Sequence, residues 1–279
     1  RFADFSGQGH SPRLLSRDCT LSRVYSISWS GALFRRPRES ESRSTGSTMS
    51  MAGTTVHEYR VERFLGQGAY AEVYLCSKTD EGGVKQYAAK VFNKSILRKS
   101  KNWRKVGGKM VFDTALTEVE REIALMKKIR HPRIVKLYEV VDDPEQGKLY
   151  MFLEFMSGGE LMSWEESAGR FTAREVCGED VMDHDTARRY FRDLIEAIAF
   201  LHAHKIVHRD IKPMNLLVSA KGKVKLADFG VAHVFEDQTA SKRDFAKAGF
   251  LTNTKGTAAF MAPEMLVGGA FSAYQADVW

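Results

Sequence analysis

The chain has 279 residues, 43% of them hydrophobic and 28% charged, with a formal net charge of +7. That length suits one two-lobed enzyme domain or two small domains, the apolar share excludes global disorder, and no run of about eighteen uncharged apolar residues offers a membrane-spanning helix. Cys19, Cys76 and Cys177 stand at irregular spacing, forming neither a disulfide framework nor a zinc site, which points to a reducing compartment.

Residues 1–50 hold 12 Ser and 8 Arg, no Lys and four acids (Asp4, Asp18, Glu39, Glu41), with no sustained periodicity. The segment reads as an unfolded Ser/Arg-rich leader or as non-coding sequence translated in frame; it lacks the amphipathic stripe of a transit helix. From Tyr59 the pattern turns regular. Tyr59 and Val61, then Val73 and Leu75, alternate with polar residues around Gly66 and Gly68, predicting a hairpin with a glycine-rich tip. Gln86 to Phe92 predicts a third strand. Residues 94–109 carry seven Lys or Arg and no acid, predicting an exposed basic loop. Leu116, Val119, Ile123 and Met126 then step by three and four, a helix opened either by a Thr117/Glu120 capping box or by Asp113. Two strands follow, from Ile134 to Val141 and from Lys148 to Phe155.

Ser157 to Asp185 predicts an irregular polar stretch. Ala187, Phe191, Leu194, Ile198 and Leu201 predict one apolar stripe down a long helix, and Leu216–Val218 with Val224–Leu226 a short hairpin.

Chemistry concentrates in three places. Gly66-Gln67-Gly68-Ala69-Tyr70-Ala71-Glu72-Val73 puts two glycines between strands, where backbone N–H groups can approach phosphate; strands on both sides suggest a flap, not a dinucleotide fold. Alone it reads as a turn. His208-Arg209-Asp210-Ile211-Lys212-Pro213-Met214-Asn215 follows the long helix, and Asp228-Phe229-Gly230 ends the hairpin. Their joint occurrence, in this order and spacing, is very hard to obtain by chance.

With Tyr87-Ala88-Ala89-Lys90 on the third strand and Ala262-Pro263-Glu264 near the end, residues 59–279 resemble the eukaryotic protein kinase superfamily. Within it, residues 121–128, 141–144, 190–195, 228–232 and 256–264 are similar to the calcium/calmodulin-dependent protein kinase kinases, as is the basic insert after the third strand. The resemblance implies an α+β bilobal kinase fold: an antiparallel-sheet N-lobe and hinge over 59–156 and a mainly helical C-lobe over 157–279. Ala276-Asp277-Val278-Trp279 resembles the opening of the large lobe's central helix, so the C-lobe is expected to be incomplete.

The implied activity is transfer of the ATP γ-phosphate, with Mg²⁺, to Ser or Thr of proteins, other kinases among them; a catalytically silent ATP-binding scaffold is the alternative. The resemblance assigns Asp210 to the substrate hydroxyl, Lys212 to the transferred phosphate with Thr257 closing that contact, and Lys90 to the α and β phosphates, held by Glu122. Glu118 and Glu120 are otherwise equal candidates for that helix glutamate. Asn215 and Asp228 are the implied Mg²⁺ ligands. Leu65, the flap Gly66 to Ala71, Val73, Ala88 and Leu217 would enclose the nucleotide, with Leu153 as gatekeeper, Glu154 and Met156 as hinge contacts and Glu160 near the ribose. Ala71 departs from the third flap glycine. Thr239, Ser241, Thr252 and Thr254 are candidate phosphorylation sites, the last two foremost, with Arg209 as the residue that would pair with the phosphate. Calmodulin is an implied partner through a segment that follows the kinase domain in the family. Neither nucleic acid nor membrane is expected, and the cytoplasm or nucleus is the expected compartment.

Overall fold

The computed structural model describes residues 51–106, 109–167, 169–179, 181–235 and 249–279. The Ser/Arg-rich leader, Gly107 and Gly108, and Thr239, Ser241, Lys242, Arg243 and Lys247 lie outside the described residues.

The first part is an antiparallel sheet with two helices between its strands. In chain order come β1 (Thr55–Val56), β2 (Tyr59–Gln67), β3 (Ala71–Asp80), β4 (Gly83–Asn93), α1 (Lys94–Lys99), β5 (Lys101–Val106), β6 (Lys109–Thr114), α2 (Ala115–Lys128), β7 (Leu137–Asp143) and β8 (Lys148–Glu154). Six of these strands form one sheet in the order β1-β2-β3-β4-β8-β7. Both faces are covered, because side chains alternate across a strand. Ala88 and Phe92 of β4 pack in the main core with Leu149, Met151 and Leu153 of β8. Tyr87, Ala89 and Val91 face a second cluster with Tyr59, Tyr74, Tyr150 and Phe152. Burying each such large side chain stabilises by about 1.5–3 kcal/mol. The same alternation puts Lys90 on the face of Ala88 and Phe92, toward the rest of the molecule.

The basic stretch is not a loop. Asn93 caps α1, its Oδ1 accepting from Ser95 N at 3.0 Å, Leu97 is fully buried, and β5 pairs with β6 as a hairpin. Lys94, read as exposed, is buried with its ammonium on Asp142. A six-residue helix held by one leucine is shorter than two periods, so no stripe marks it. Nor does α2 start at either expected residue. Thr114 is its cap, accepting from Thr117 N at 3.3 Å, while Asp113 makes a two-pronged pair with Arg121 at 2.9 and 3.0 Å.

The second part comprises β9 (Gly159–Glu160), β10 (Ser163–Glu165), β11 (Arg170–Thr172), α3 (Arg174–Cys177), α4 (His184–Ala203), β12 (Ile206–Val207), β13 (Leu216–Val218), β14 (Val224–Leu226), β15 (His233–Val234), β16 (Phe250–Leu251), α5 (Pro263–Val267), β17 (Phe271–Ser272) and α6 (Ala273–Val278). The stretch expected to be irregular thus holds three short strands and one helical turn. β13 pairs with both β14 and β9. Asp183 caps α4 by accepting from Asp185 N and Thr186 N. The buried face of α4 is Tyr190, Asp193, Ala197, Ile198 and Leu201, so the expected stripe is rotated: Ala187 and Phe191 lie at solvent. Asp193 explains the rotation, since it receives Arg133 at 3.0 Å and Val224 N at 3.0 Å in the interior.

Backbone and charge both join the two parts. The segment Arg133–Val135 leaves β7's expected start and bonds Leu226 instead, with Val135 N to Leu226 O at 3.0 Å and Leu226 N to Arg133 O at 2.8 Å. Arg133 also reaches Glu196 at 2.8 Å. Glu154, at the end of β8, accepts both prongs of its bond from Lys225 on β14, at 2.7 and 2.8 Å. Among the described residues no helix is long and apolar enough to cross a membrane.

Candidate active site

The cleft between the two parts is lined by Ala88, Lys90, Glu122, Met126, Val135, Leu153, Glu154, Leu217, Ala227 and Asp228. β4 delivers Ala88 and Lys90 and β8 delivers Leu153 and Glu154. The buried face of α2, which recurs at Ala115, Glu118, Val119, Glu122, Ile123 and Met126, delivers Glu122 and Met126. The β13–β14 hairpin supplies Leu217 and, just beyond it, Asp228.

Lys90 Nζ lies 3.1 Å from Glu122 Oε1 and 3.6 Å from Asp228 Oδ1, and all three residues are buried. Burial opposes the lysine's charge, but Glu122 and Asp228 outweigh it and hold its pKa above the usual lysine value. Burial pushes Glu122 up, Lys90 opposing and Asp228 adding to the rise. One ammonium faces two carboxylates, so the group carries an excess of negative charge in a dry place. Asp228 Oδ1 is also buried without a hydrogen-bond donor among the described residues. A hard cation fits both facts, and Asp228 offers the oxygen chemistry Mg²⁺ prefers. No cluster of three or more His, Cys, Asp or Glu able to hold a metal occurs among the described residues.

The second constellation surrounds Asp210. Its Oδ1 accepts from Thr257 N at 2.8 Å and from Thr257 Oγ1 at 2.7 Å. Its Oδ2 lies 2.6 Å from Lys212 Nζ and accepts from Asn215 Nδ2 at 3.0 Å. Lys212 Nζ also donates to Thr257 Oγ1 at 2.5 Å, closing a ring of three side chains. Burial works against the aspartate, yet Lys212 and Thr257 overcome it and hold its carboxyl below the usual range. Asn215 spends its amide nitrogen on Asp210.

The loop backbone that carries Asp210 is held from elsewhere. Asp277 of α6 accepts from His208 N at 2.8 Å and Arg209 N at 2.7 Å, and lies 2.9 Å from His202 Nε2. Arg209 and Asp228 adopt positive φ, 67° and 64°, a conformation side chains other than glycine's rarely take and one that clusters at functional sites. Gly256 has φ +123°, and a Cβ there would lie 2.3 Å from the Arg209 carbonyl oxygen. Gly256→Ala is therefore expected to cost at least about 1–3 kcal/mol from backbone strain before the clash is counted. Melting and phosphotransfer measured on the variant should both fall; wild-type values for both would refute the argument.

The remaining expected positions divide by element. Gly66 to Ala71 form the β2–β3 tip, closed by Gly68 N donating to Ala71 O at 2.7 Å, and Tyr70 OH sits 3.2 Å from Ser100 Oγ. Ala71 is not among the residues of positive φ, so the missing glycine carries no backbone penalty here. Leu65 and Val73 are buried on the core face shared with Ala88. Met156 is fully buried just past β8, and Glu160 pairs across from Leu217. Of the three helix glutamates, Glu122 meets Lys90, Glu118 meets Lys255 at 2.8 Å, and Glu120 is exposed. Sequence reasoning missed Lys255 and its partner; a contact spanning 137 residues leaves no local signal.

Comparison with known proteins agrees with this architecture. The chain is 39% identical over 236 residues to a calcium/calmodulin-dependent protein kinase kinase of Caenorhabditis elegans, covering 80% of this chain and 39% of that protein. It is 37% identical over 225 residues to serine/threonine-protein kinase GRIK1 of Arabidopsis thaliana, covering 81% and 50%. With a probable serine/threonine-protein kinase of Dictyostelium discoideum it shares 38% identity over 210 residues, 75% of this chain and 26% of the other. The chain thus spans between a quarter and a half of the length of these relatives. Residues 59–279 match the model of the protein kinase domain, and the chain belongs to the protein kinase family.

Proposed function

We propose that the protein is a serine/threonine kinase that transfers the γ-phosphate of ATP to hydroxyls on the activation loops of other kinases. The observation that carries this reading is a pair of buried constellations linked by short backbone bonds: Lys90 with Glu122 and Asp228 in the cleft, and Asp210 with Lys212 and Thr257, tied to the strand before Asp228 through Asn215, whose Nδ2 donates to Asp210 and whose carbonyl accepts from Ala227 N at 2.8 Å. Phosphoryl transfer asks mainly for positioning and for neutralisation of charge on phosphate oxygens, and these groups supply both.

Lys90, kept charged by its two carboxylates, steers the α and β phosphates. Leu65, Val73, Ala88 and Leu217 form apolar walls for the adenine, the backbone at Glu154 and Met156 offers hydrogen bonds to its edge, and Glu160 lies on the ribose side. The tip Gly66-Gln67-Gly68-Ala69-Tyr70-Ala71 covers the phosphate chain with backbone N–H groups. Asp228 and Asn215 would hold Mg²⁺, which when bound neutralises charge on the phosphate oxygens. Asp210 orients the incoming hydroxyl and takes its proton as the new O–P bond forms and the bond from γ-phosphorus to the ADP oxygen breaks. Lys212 offsets charge on the group in transit, and Thr257 keeps Lys212 and Asp210 in register.

The choice of substrate is supported by the C. elegans relative, whose name makes it a kinase of kinases, and the same name brings calmodulin as a proposed partner. The test is transfer of labelled phosphate from ATP, with Mg²⁺, to peptides from kinase activation loops. Label on the loop threonine is expected; tight ATP binding without transfer, or label on tyrosine alone, would refute the reading.

A further inference from the structure

Glu118 sits one turn before Glu122 on the buried face of α2, yet it serves a different partner. Its Oε1 accepts from Lys255 Nζ at 2.8 Å, with the glutamate side chain 9% exposed and the lysine 37%. A carboxylate this buried needs a partner, since stripping water from it is costly. Lys255 stands two residues before Thr257, whose hydroxyl and amide both hold Asp210.

Arg209 completes the group. Its guanidinium gives Nε to Val231 O at 2.6 Å and Nη1 to Asn253 Oδ1 at 3.4 Å, both neutral oxygens. Burial pushes that guanidinium down to about 10, with the charges of Asp277 and Glu118 opposing. Lys255, from the segment that carries Thr257, thus meets the carboxylate of the helix that carries Glu122, while Arg209, from the loop that carries Asp210, holds its guanidinium on neutral oxygens in the same region. Basic groups so placed are suited to receive a phosphate on the loop; here a side chain supplies the negative charge.

We propose that Glu118 is a positioning residue: through Lys255 it ties α2 to the Thr257 segment, and so assembles Lys90–Glu122 and Asp210–Lys212–Thr257 together without phosphate on Thr252 or Thr254. The inference rests on the kinase reading above. Thr254 is already engaged otherwise, its Oγ1 donating to Met265 O at 2.9 Å, and Asn253 stands between these threonines at Arg209.

The experiment measures steady-state kinetics of the full chain with an activation-loop peptide and labelled ATP. Glu118→Ala should lower kcat about tenfold or more while the KM for ATP changes less than about threefold, since displacement of a remote support acts on geometry more than on binding. Lys255→Ala should match it, and the charge-exchanged pair Glu118→Lys with Lys255→Glu should recover kcat to within about threefold of wild type, because the two residues act as one unit. Lys255 is the more exposed partner, so its variants carry the test should Glu118→Ala fail to fold. Treatment of the wild-type protein with a broad-specificity phosphatase should leave the rate within about twofold. An unchanged kcat in Lys255→Ala, a charge exchange no better than the single variants, or a rate lost on dephosphorylation would each overturn the inference. Wild-type protein that transfers no phosphate overturns the kinase reading itself, whereas active wild type with equally active Glu118 and Lys255 variants overturns this inference alone.

Discussion

Asp210→Asn is expected to lower kcat by about 10²- to 10⁴-fold, the usual worth of a positioned general base. Every hydrogen bond to the carboxylate is made by a donor: Thr257 N and Oγ1 on one oxygen, Lys212 Nζ and Asn215 Nδ2 on the other. An amide in that place must turn its NH₂ toward one of these pairs, so the ring that joins Lys212, Thr257 and Asp210 opens. Losing a charge-assisted bond in the interior costs about 1.5–3 kcal/mol, so the melting temperature should drop as well. The apolar cleft walls Ala88 and Leu217 are untouched, and ATP binding should persist. Steady-state kinetics beside a nucleotide-binding titration separates the two effects; turnover within a few-fold of wild type would remove Asp210 from the mechanism.

The second large effect is expected from Lys90→Met. Methionine fills similar volume but leaves Glu122 and Asp228 buried without their shared cation. Removing one partner from a buried ion pair costs about 3–5 kcal/mol, and loss of a preorganised charge at the phosphates costs a further 10²- to 10³-fold or so in rate. The stability loss should depend on pH in a defined sense. Lys90 lowers the pKa of Glu122 against the upward push of burial. Without it, the folded-state pKa rises further above the unfolded value, so the carboxyl favours folding when protonated and that contribution is lost as pH rises through the folded pKa. Wild type and variant should therefore differ most in melting temperature at pH 8 and least near pH 5. Lys90's own pKa, raised in the folded state, matters only near and above the usual lysine value, outside that window. A gap between the two proteins that widens on acidification would contradict the argument.

Much of this site was legible in the sequence because its residues sit in short local patterns. Strand alternation alone puts Lys90 on the face of Ala88 and Phe92, while the gathering of Asp210, Lys212, Asn215 and Asp228 at one site was implied by the resemblance to the protein kinases. What sequence could not supply were choices made by distant partners. Thr114, Asp113 and Thr117 are all capable caps, and Arg121 settled the matter by taking Asp113. The facing of α4 was misread because its buried side is centred on Asp193, a polar residue no hydrophobic stripe predicts and one that Arg133 and Val224 N satisfy. Choosing among Glu118, Glu120 and Glu122 needed the positions of Lys255 and Lys90, which no helical period encodes.

The bond between Glu154 and Lys225 should act as a pivot if this cleft opens. Chain and charge fasten the same edge of the molecule, at the end of β8, where Glu154 lies opposite Tyr87 of β4. Widening is then a swing about that spine, like a book opened from its binding. A swing of that kind would carry the β2–β3 tip, beside Phe92 farther along β4, through a longer arc than the walls near Ala88 and Leu217. A bound molecule would be uncovered from its outer end first.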